Sequence, residues 1–259
     1  MTLLDRVIGS LRHHHDLLAE LVGTLDEQAL AAPSGSTEWQ VHDVLSHLGS
    51  GAEIMLGPVA AAAAHTEPEP AANEAVWERW NATDPAGQAT AFVEHDARLV
   101  EALEGLDGEQ RETLPVDLGS LPAPVPLVVA AGMRLNEVAL HTWDVLVAFE
   151  PGAPLDADAA EVLLELYTGP LSMLLHWGGK ADRLEERTVV ALEGHGLAID
   201  EDVSLVAEPP VAPTATFTGP VEAAVRLFGG RLPAAYTPEE VAVHGNVTLE
   251  QLRDVFPGY

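Results

Sequence analysis

The stretch RLNEVALHTWDV, residues 134–145, sets a carboxylate and an imidazole four positions apart, at Glu137 and His141. At about 100° per residue, that spacing places both on one face of a helix, one turn from each other. Asp144, three residues further on, falls on the same stripe. A carboxylate and an imidazole on an otherwise apolar helix are costly to bury unless they bind a metal ion or each other. A third candidate lies upstream, at His47 in WQVHDVLSHLGSG, residues 39–51. One histidine from one helix and Glu-x3-His from another make a three-ligand set that leaves one coordination position open for chemistry. The spacing alone leaves two readings open: a metal centre, or a buried Glu–His hydrogen-bonded pair with no metal. Glu-x3-His lacks the specificity of HExxH.

Both stretches sit in helical surroundings. Leu4, Val7, Ile8, Leu11, Leu18, Leu21, Val22 and Leu25 recur at helical spacing and predict a first helix. His13, His14 and His15 interrupt it; three consecutive residues cannot share a face, so at most one or two can look inward, and exposed or half-exposed rings are expected. A second helix is expected from near Glu38 through Ala64, with a break at Pro58. On it, His42 is expected to face away from His47. Asp43 shares His47's face, as a carboxylate orienting the imidazole or as a surface acid. The segment 65–87 reads as a long connection with a short helix around Trp77 and Trp80. A third helix is expected over about Ala86–Leu106 and a fourth over about Leu127–Phe149. Four main helices are the pattern of a helix bundle, a setting in which facing helices can project metal ligands inward. Trp39 and Trp143 flank the ligand candidates, as core packing or as pocket lining.

Composition shifts at EPGAPLDAD, residues 150–158. One more helix is expected from Ala159 to about Trp177. The strand-like runs RTVVALEG, VSLVAE and TATFTG follow, then a helix at Val221–Phe228, the run VAVHG and a closing helix near Leu249–Val255. The fold class is therefore α+β in two domains, a four-helix bundle over 1–152 and a small α+β domain over 153–259.

Twelve Lys and Arg stand against 41 Asp and Glu, a formal net charge of −29. Such a surface repels phosphate backbones and anionic lipid, so no nucleic acid and no membrane is expected as a partner. An anionic substrate would need a local basic patch, for which Arg134 with Arg231 are the candidates. There is no cysteine, so a cysteine nucleophile is excluded and any thiol must be borrowed. The N-terminal stretch lacks a signal-peptide core, and a cytoplasmic monomer or homodimer is expected. No Gly-x-Ser-x-Gly elbow and no phosphate-binding loop occur. His176, His195 and His244 have no partner spacing and are expected in surface or structural roles.

Two motifs, TEWQVHDVLSHL (37–48) and GMRLNEVALHTWDV (132–145), resemble the mycothiol-dependent maleylpyruvate isomerase family. Its N-terminal domain belongs to the DinB-like metal-binding bundles. TGPVEAAVRLFGGRLPAAYTPEEVAVHGN, residues 218–246, resembles the end of the family's smaller domain. The resemblance implies that His47, Glu137 and His141 hold zinc or another divalent metal. It implies mycothiol as thiol cosubstrate, and a small electrophile as substrate. A thiolate would add to a cis-enedioate, permit rotation and leave as the trans isomer forms, or would form a stable S-conjugate in an S-transferase. The resemblance also implies an arginine of the second domain at the active site, with Arg231 the catalytic candidate and Arg226 its alternative; a structural arginine joining the domains through a carboxylate is the other reading of Arg231. Two rival functions remain from the residues alone: a thiol-independent zinc hydrolase or lyase using metal-bound water, and a non-enzymatic metal-stabilised binding module.

Overall fold

A computed structural model describes residues 1–69 and 72–258, and the chain is α+β, in two compact units, Met1–Glu150 and Pro151–Tyr259. The first unit is built on α1 (Leu3–Val22), α3 (Val41–Ala63), α5 (Pro85–Glu104) and α7 (Leu127–Leu146), with the short helices α2 (Glu27–Leu30), α4 (Asn73–Asn81) and α6 (Gly108–Thr113) in the connections. A two-residue hairpin, β1 (Pro115–Val116) and β2 (Val125–Pro126), leads straight into α7.

Two of the long helices start where the sequence supplies a side-chain cap. Thr2 accepts from the Asp5 amide while Asp5 accepts from that of Thr2, a reciprocal box at α1. Asp84 caps α5, ahead of Pro85 in the first turn, where a missing N–H is harmless. The expected break at Pro58 does not occur, and α3 runs through it. The residue before a proline is normally pushed out of the helical region by its own Cβ; Gly57 has none.

Helix α7 is buried almost all round, from Leu127 to Val145, as expected of a helix at the centre of its unit. Glu137 and Met133, one turn apart, are among its few half-buried residues. Leu11, Leu18, Leu48, Phe92 and Leu99 of the other long helices are fully buried with it. The limit of two inward rings holds, but the expected exposure is corrected: His14 and His15 are buried, and only His13 looks outward. Two of the three consecutive rings fit inside because each finds a polar partner, the Ser10 carbonyl for His14 Nδ1 (2.7 Å) and Asp96 for His15.

The second unit opens with α8 (Ala157–Thr168) and α9 (Ser172–Gly178). The single helix expected over 159–177 is two, because Gly169 and Pro170 stop the first. The strands are β3 (Thr188–Leu192), β4 (His195–Ile199), β5 (Val203–Val206), β6 (Ala215–Thr218) and β7 (Ala242–Gly245), in the order β5-β4-β3-β6-β7. All neighbours are antiparallel except β3 and β6. Burial alternates along β3, β5 and β6, with Val190, Val203, Leu205 and Phe217 inward. Helices α10 (Val221–Phe228) and α11 (Leu249–Val255) complete the unit. Phe228 packs against Tyr167 and Phe256, with ring centroids 6.2 and 5.2 Å away. Strand β4 was not expected: its HGLAI run follows Gly194, whose φ of +69° turns the chain back on β3.

Candidate metal centre

Helices α3 and α7 bring His47, Glu137 and His141 together, with one ligand atom from each inside a 4.8 Å span. His47 Nε2 lies 3.1 Å from Glu137 Oε2, and His141 Nε2 lies 3.7 Å from the same oxygen. The imidazoles meet edge to face, with centroids 4.8 Å apart. Burial is graded: the His141 side chain is 6% exposed, against 39% for His47 and 33% for Glu137. The set is therefore anchored inside and open on one side.

Neighbouring groups fix how these side chains point. His141 Nδ1 donates to Asp144 Oδ2 at 2.8 Å, and Asp144 is completely buried. A carboxylate can only accept, so the proton sits on Nδ1 and the lone pair of Nε2 faces Glu137 and His47. Asp144 therefore holds the His141 ring in this orientation. Asn136 Nδ2 donates to Glu137 Oε1 at 3.2 Å, which leaves Oε2 toward the imidazoles. Trp39 covers the pair from outside, tilted on His47 at 5.2 Å and stacked on His141 at 5.6 Å, so it lines the site. Trp143 is core.

The loop that carries Trp39 is pinned at both ends. Ser34 binds the Trp39 carbonyl through its amide (3.0 Å) and its hydroxyl (2.9 Å). The Gly35 amide donates to the Asp144 carbonyl at 2.7 Å, and a Cβ at Gly35 would lie 3.0 Å from the Asp144 Cα. His42 faces away from His47, toward Gln88 and Gln40. Asp43 accepts from the Gln40 amide at 2.9 Å, so it caps α3 rather than orienting His47.

Two imidazoles and one carboxylate converging on one point, with a buried carboxylate behind one ring, fit a divalent metal such as zinc with a position left open. Among the described residues this is the one group of three or more such side chains placed to hold a metal. Seven and eleven residues past His47, Ile54 and Pro58 line a cavity of about 490 Å³ with Glu67, Glu69 and Asp117 among its walls.

Arg134 does not form the basic patch that an anionic substrate would need. It is buried, with Nη2 donating to Asp96 Oδ1 and to the Leu48 carbonyl, both at 2.8 Å. In the second unit, Arg226 forks onto Glu222 at 2.7 and 3.0 Å and donates to the Tyr236 carbonyl at 2.8 Å. That commits Arg226 to structure, and Arg231 is buried as well. Gly230, with φ +71°, reverses the chain at the end of α10, and the Arg231 amide returns to the Arg226 carbonyl at 2.7 Å. Arg231 Nη1 donates to the Gly229 carbonyl, also at 2.7 Å. His176 pairs with Asp202 at the surface, and His195 with the Glu193 carbonyl.

Sequence reasoning missed the Asp96–Arg134–His15 cluster behind the site, and the room that Gly49 and Gly51 make on α3. A Cβ at Gly49 would strike the Trp80 ring, and one at Gly51 would lie 3.0 Å from Arg134 Nη1. The pattern Leu-Gly-Ser-Gly directly after His47 was the available signal.

Two solved structures, of the mycothiol-dependent maleylpyruvate isomerase and of a mutant of it, share this fold. Each has a TM-score of 0.64 at 17% identity, over 95% of both chains. Two uncharacterized proteins of Mycobacterium tuberculosis, MT0763 (strain CDC 1551 / Oshkosh) and Rv0738 (strain ATCC 25618 / H37Rv), are 26% identical over 145 residues, 56% of this chain and 68% of theirs. Residues 11–146, more than half of the chain and including all three ligand candidates, match the sequence model described as the mycothiol maleylpyruvate isomerase N-terminal domain, and the chain belongs to that family.

Proposed function

We propose that this chain is a metal- and mycothiol-dependent enzyme, acting as a cis–trans isomerase of the maleylpyruvate type or as a mycothiol S-transferase. The observation that carries the reading is the convergence of His47, Glu137 and His141 within 4.8 Å, with Asp144 behind His141. A bound divalent metal supplies Lewis acidity that keeps a coordinated thiol deprotonated at neutral pH. The residues of the chain do the rest. Asp144 holds His141 in the tautomer that presents Nε2, Asn136 turns Glu137, and Trp39 shields the imidazoles from water on one side. With no cysteine in the chain, the attacking sulfur belongs to the cosubstrate. In the isomerase, that sulfur bonds to one alkene carbon and the C=C electron pair moves to the conjugated carbonyl. The single bond rotates, and reversal breaks the C–S bond and releases the thiol unchanged. In the S-transferase the sulfur bonds to a carbon that bears a leaving group or belongs to an epoxide; the bond to that group or to the ring oxygen breaks, its electron pair leaves with the departing atom, and the C–S bond stays. Arg231 is put forward as the group that holds a substrate carboxylate, for which a guanidinium fork is suited.

The test begins with elemental mass spectrometry of the purified protein and of His47→Ala, Glu137→Ala and His141→Ala. About one zinc per chain, lost in each variant with the far-ultraviolet helical signal retained, is expected for a three-ligand site. Retention of metal by all three variants refutes the ligand set. Maleylpyruvate, and separately an alkylating electrophile, are then offered with and without mycothiol. Turnover only with the thiol is expected; turnover without it points to metal-bound water as the reactant instead.

A further inference from the structure

Behind the ligand set lies a second polar cluster that the proposed chemistry does not touch. Asp96 sits on α5 and is 1% exposed. It accepts from His15 Nδ1 of α1 at 2.9 Å and from Arg134 Nη2 of α7 at 2.8 Å. The same Arg134 nitrogen donates to the Leu48 carbonyl of α3 at 2.8 Å. One network therefore joins all four long helices. Its two attachments nearest the site are adjacent to the ligands: Leu48 follows His47, and Arg134 lies three residues, just under one turn, before Glu137 on α7.

Stability is a weak reason for such a cluster. A buried ion pair surrenders hydration that well-packed apolar side chains of similar size would not need. What an apolar cluster cannot do is fix a register, because dispersion contacts tolerate sliding that a nitrogen bonded to acceptors on two helices does not. Gly51 keeps the approach clear, since a Cβ there would lie 3.0 Å from Arg134 Nη1. Met133 and Glu137 share the half-buried stripe of α7, so Arg134 is turned inward from it.

We propose that Arg134, Asp96 and His15 are positioning residues, which lock α3 against α7 and so set the separation of His47 from Glu137 and His141. The proposal rests on the metal reading above, and its test separates the two. The network is replaced whole by His15→Leu/Asp96→Leu/Arg134→Met, and zinc is titrated against a chromophoric chelator beside a urea unfolding curve of the metal-free protein. A loss of about tenfold or more in zinc affinity, with the urea midpoint held or raised, is expected of a positioning unit. A folded triple variant that binds zinc within about twofold of the parent overturns the proposal, because loss of outer partners costs more than that. Where the triple variant does not fold, Arg134→Lys decides. It keeps a positive charge beside Asp96 but replaces the rigid guanidinium plane that carries Nη2 to both Asp96 and the Leu48 carbonyl with a flexible ammonium, so weakened zinc binding supports the proposal and parental binding overturns it. Where the parent itself takes up no zinc, the metal reading falls, and the cluster is judged on the metal-free protein. The ring-proton shifts of His47 and His141, set by the nearby Trp39 ring, then move in the variant if the cluster positions them. Unmoved shifts overturn it.

Discussion

Replacing Asp144 by asparagine should weaken zinc binding by about 10- to 100-fold, the usual cost of removing a partner behind a metal-bound histidine. The structure says why so much and not more. The carboxylate is fully buried and stands 2.8 Å from His141 Nδ1, so water does not screen its charge from the ring. Asparagine keeps an amide oxygen at that place, so the Nδ1 proton retains an acceptor and the ring its orientation. What is lost is the negative charge that makes Nε2 more basic. Converted at 1.36 kcal/mol per tenfold, the loss is about 1.4–2.7 kcal/mol. Asp144→Ala should lose about a further 1–3 kcal/mol, part of it as fold stability, because a buried N–H is then left without an acceptor. Competition with a chromophoric chelator measures the affinity, and urea unfolding of the metal-free protein reports the stability. A folded Asp144→Asn variant with parental zinc affinity would refute the argument that this carboxylate tunes His141.

Gly49→Ala should destabilise the first unit by about 1–3 kcal/mol in chemical denaturation, as an overpacked core substitution does. Its methyl would meet the Trp80 ring on one side and lie 3.0 Å from the Phe92 Cα on the other, and backbone cannot swing aside. Gly230→Ala should cost about 1–3 kcal/mol through strain at φ +71°, and an unchanged melting temperature would show that the end of α10 relaxes freely. The acid side of the stability curve should be steep. Burial opposes the charge of Asp96, but the His15 hydrogen bond and Arg134 outweigh it and hold its carboxyl below the ordinary value. Arg12 acts likewise on Glu104. Such depressed groups stabilise the fold above their unfolded pKa, and that stability is lost as pH falls through the folded one. Urea midpoints should therefore hold down to about pH 4 and drop below it; a midpoint that rises below pH 4 contradicts the assignment.

The elements that sequence displayed best were those in which local spacing carries the information. Glu137, His141 and Asp144 lie within eight residues, and one helical stripe suffices to align them. His47 needed only a second helix of the right kind. The boundaries of α10 and α11 were equally plain, because Pro220 and Thr248 mark where they start. The cluster behind the site was not legible. His15 and Asp96 are 81 residues apart, Arg134 and Leu48 are 86 apart, and no periodicity reports a contact across that distance. The histidine run misled for the same reason, since a partner on another helix is what makes His15 cheap to bury. Strand β4 was hidden by its own turn, where Glu193 and Gly194 read as an end rather than a reversal.

Trp39 gives the molecule a light-emitting gauge of its own centre. Trp77 and Trp177 are exposed, and Trp80 and Trp143 are buried. Trp39 has its ring near both candidate ligand imidazoles, with centroids 5.2 Å from His47 and 5.6 Å from His141. Emission from an indole at that position changes with the charge on the two rings, because a positively charged imidazole quenches it by taking an electron from the excited state. The part of the emission that disappears in Trp39→Phe is therefore a running record of what the centre holds, read without dye or label.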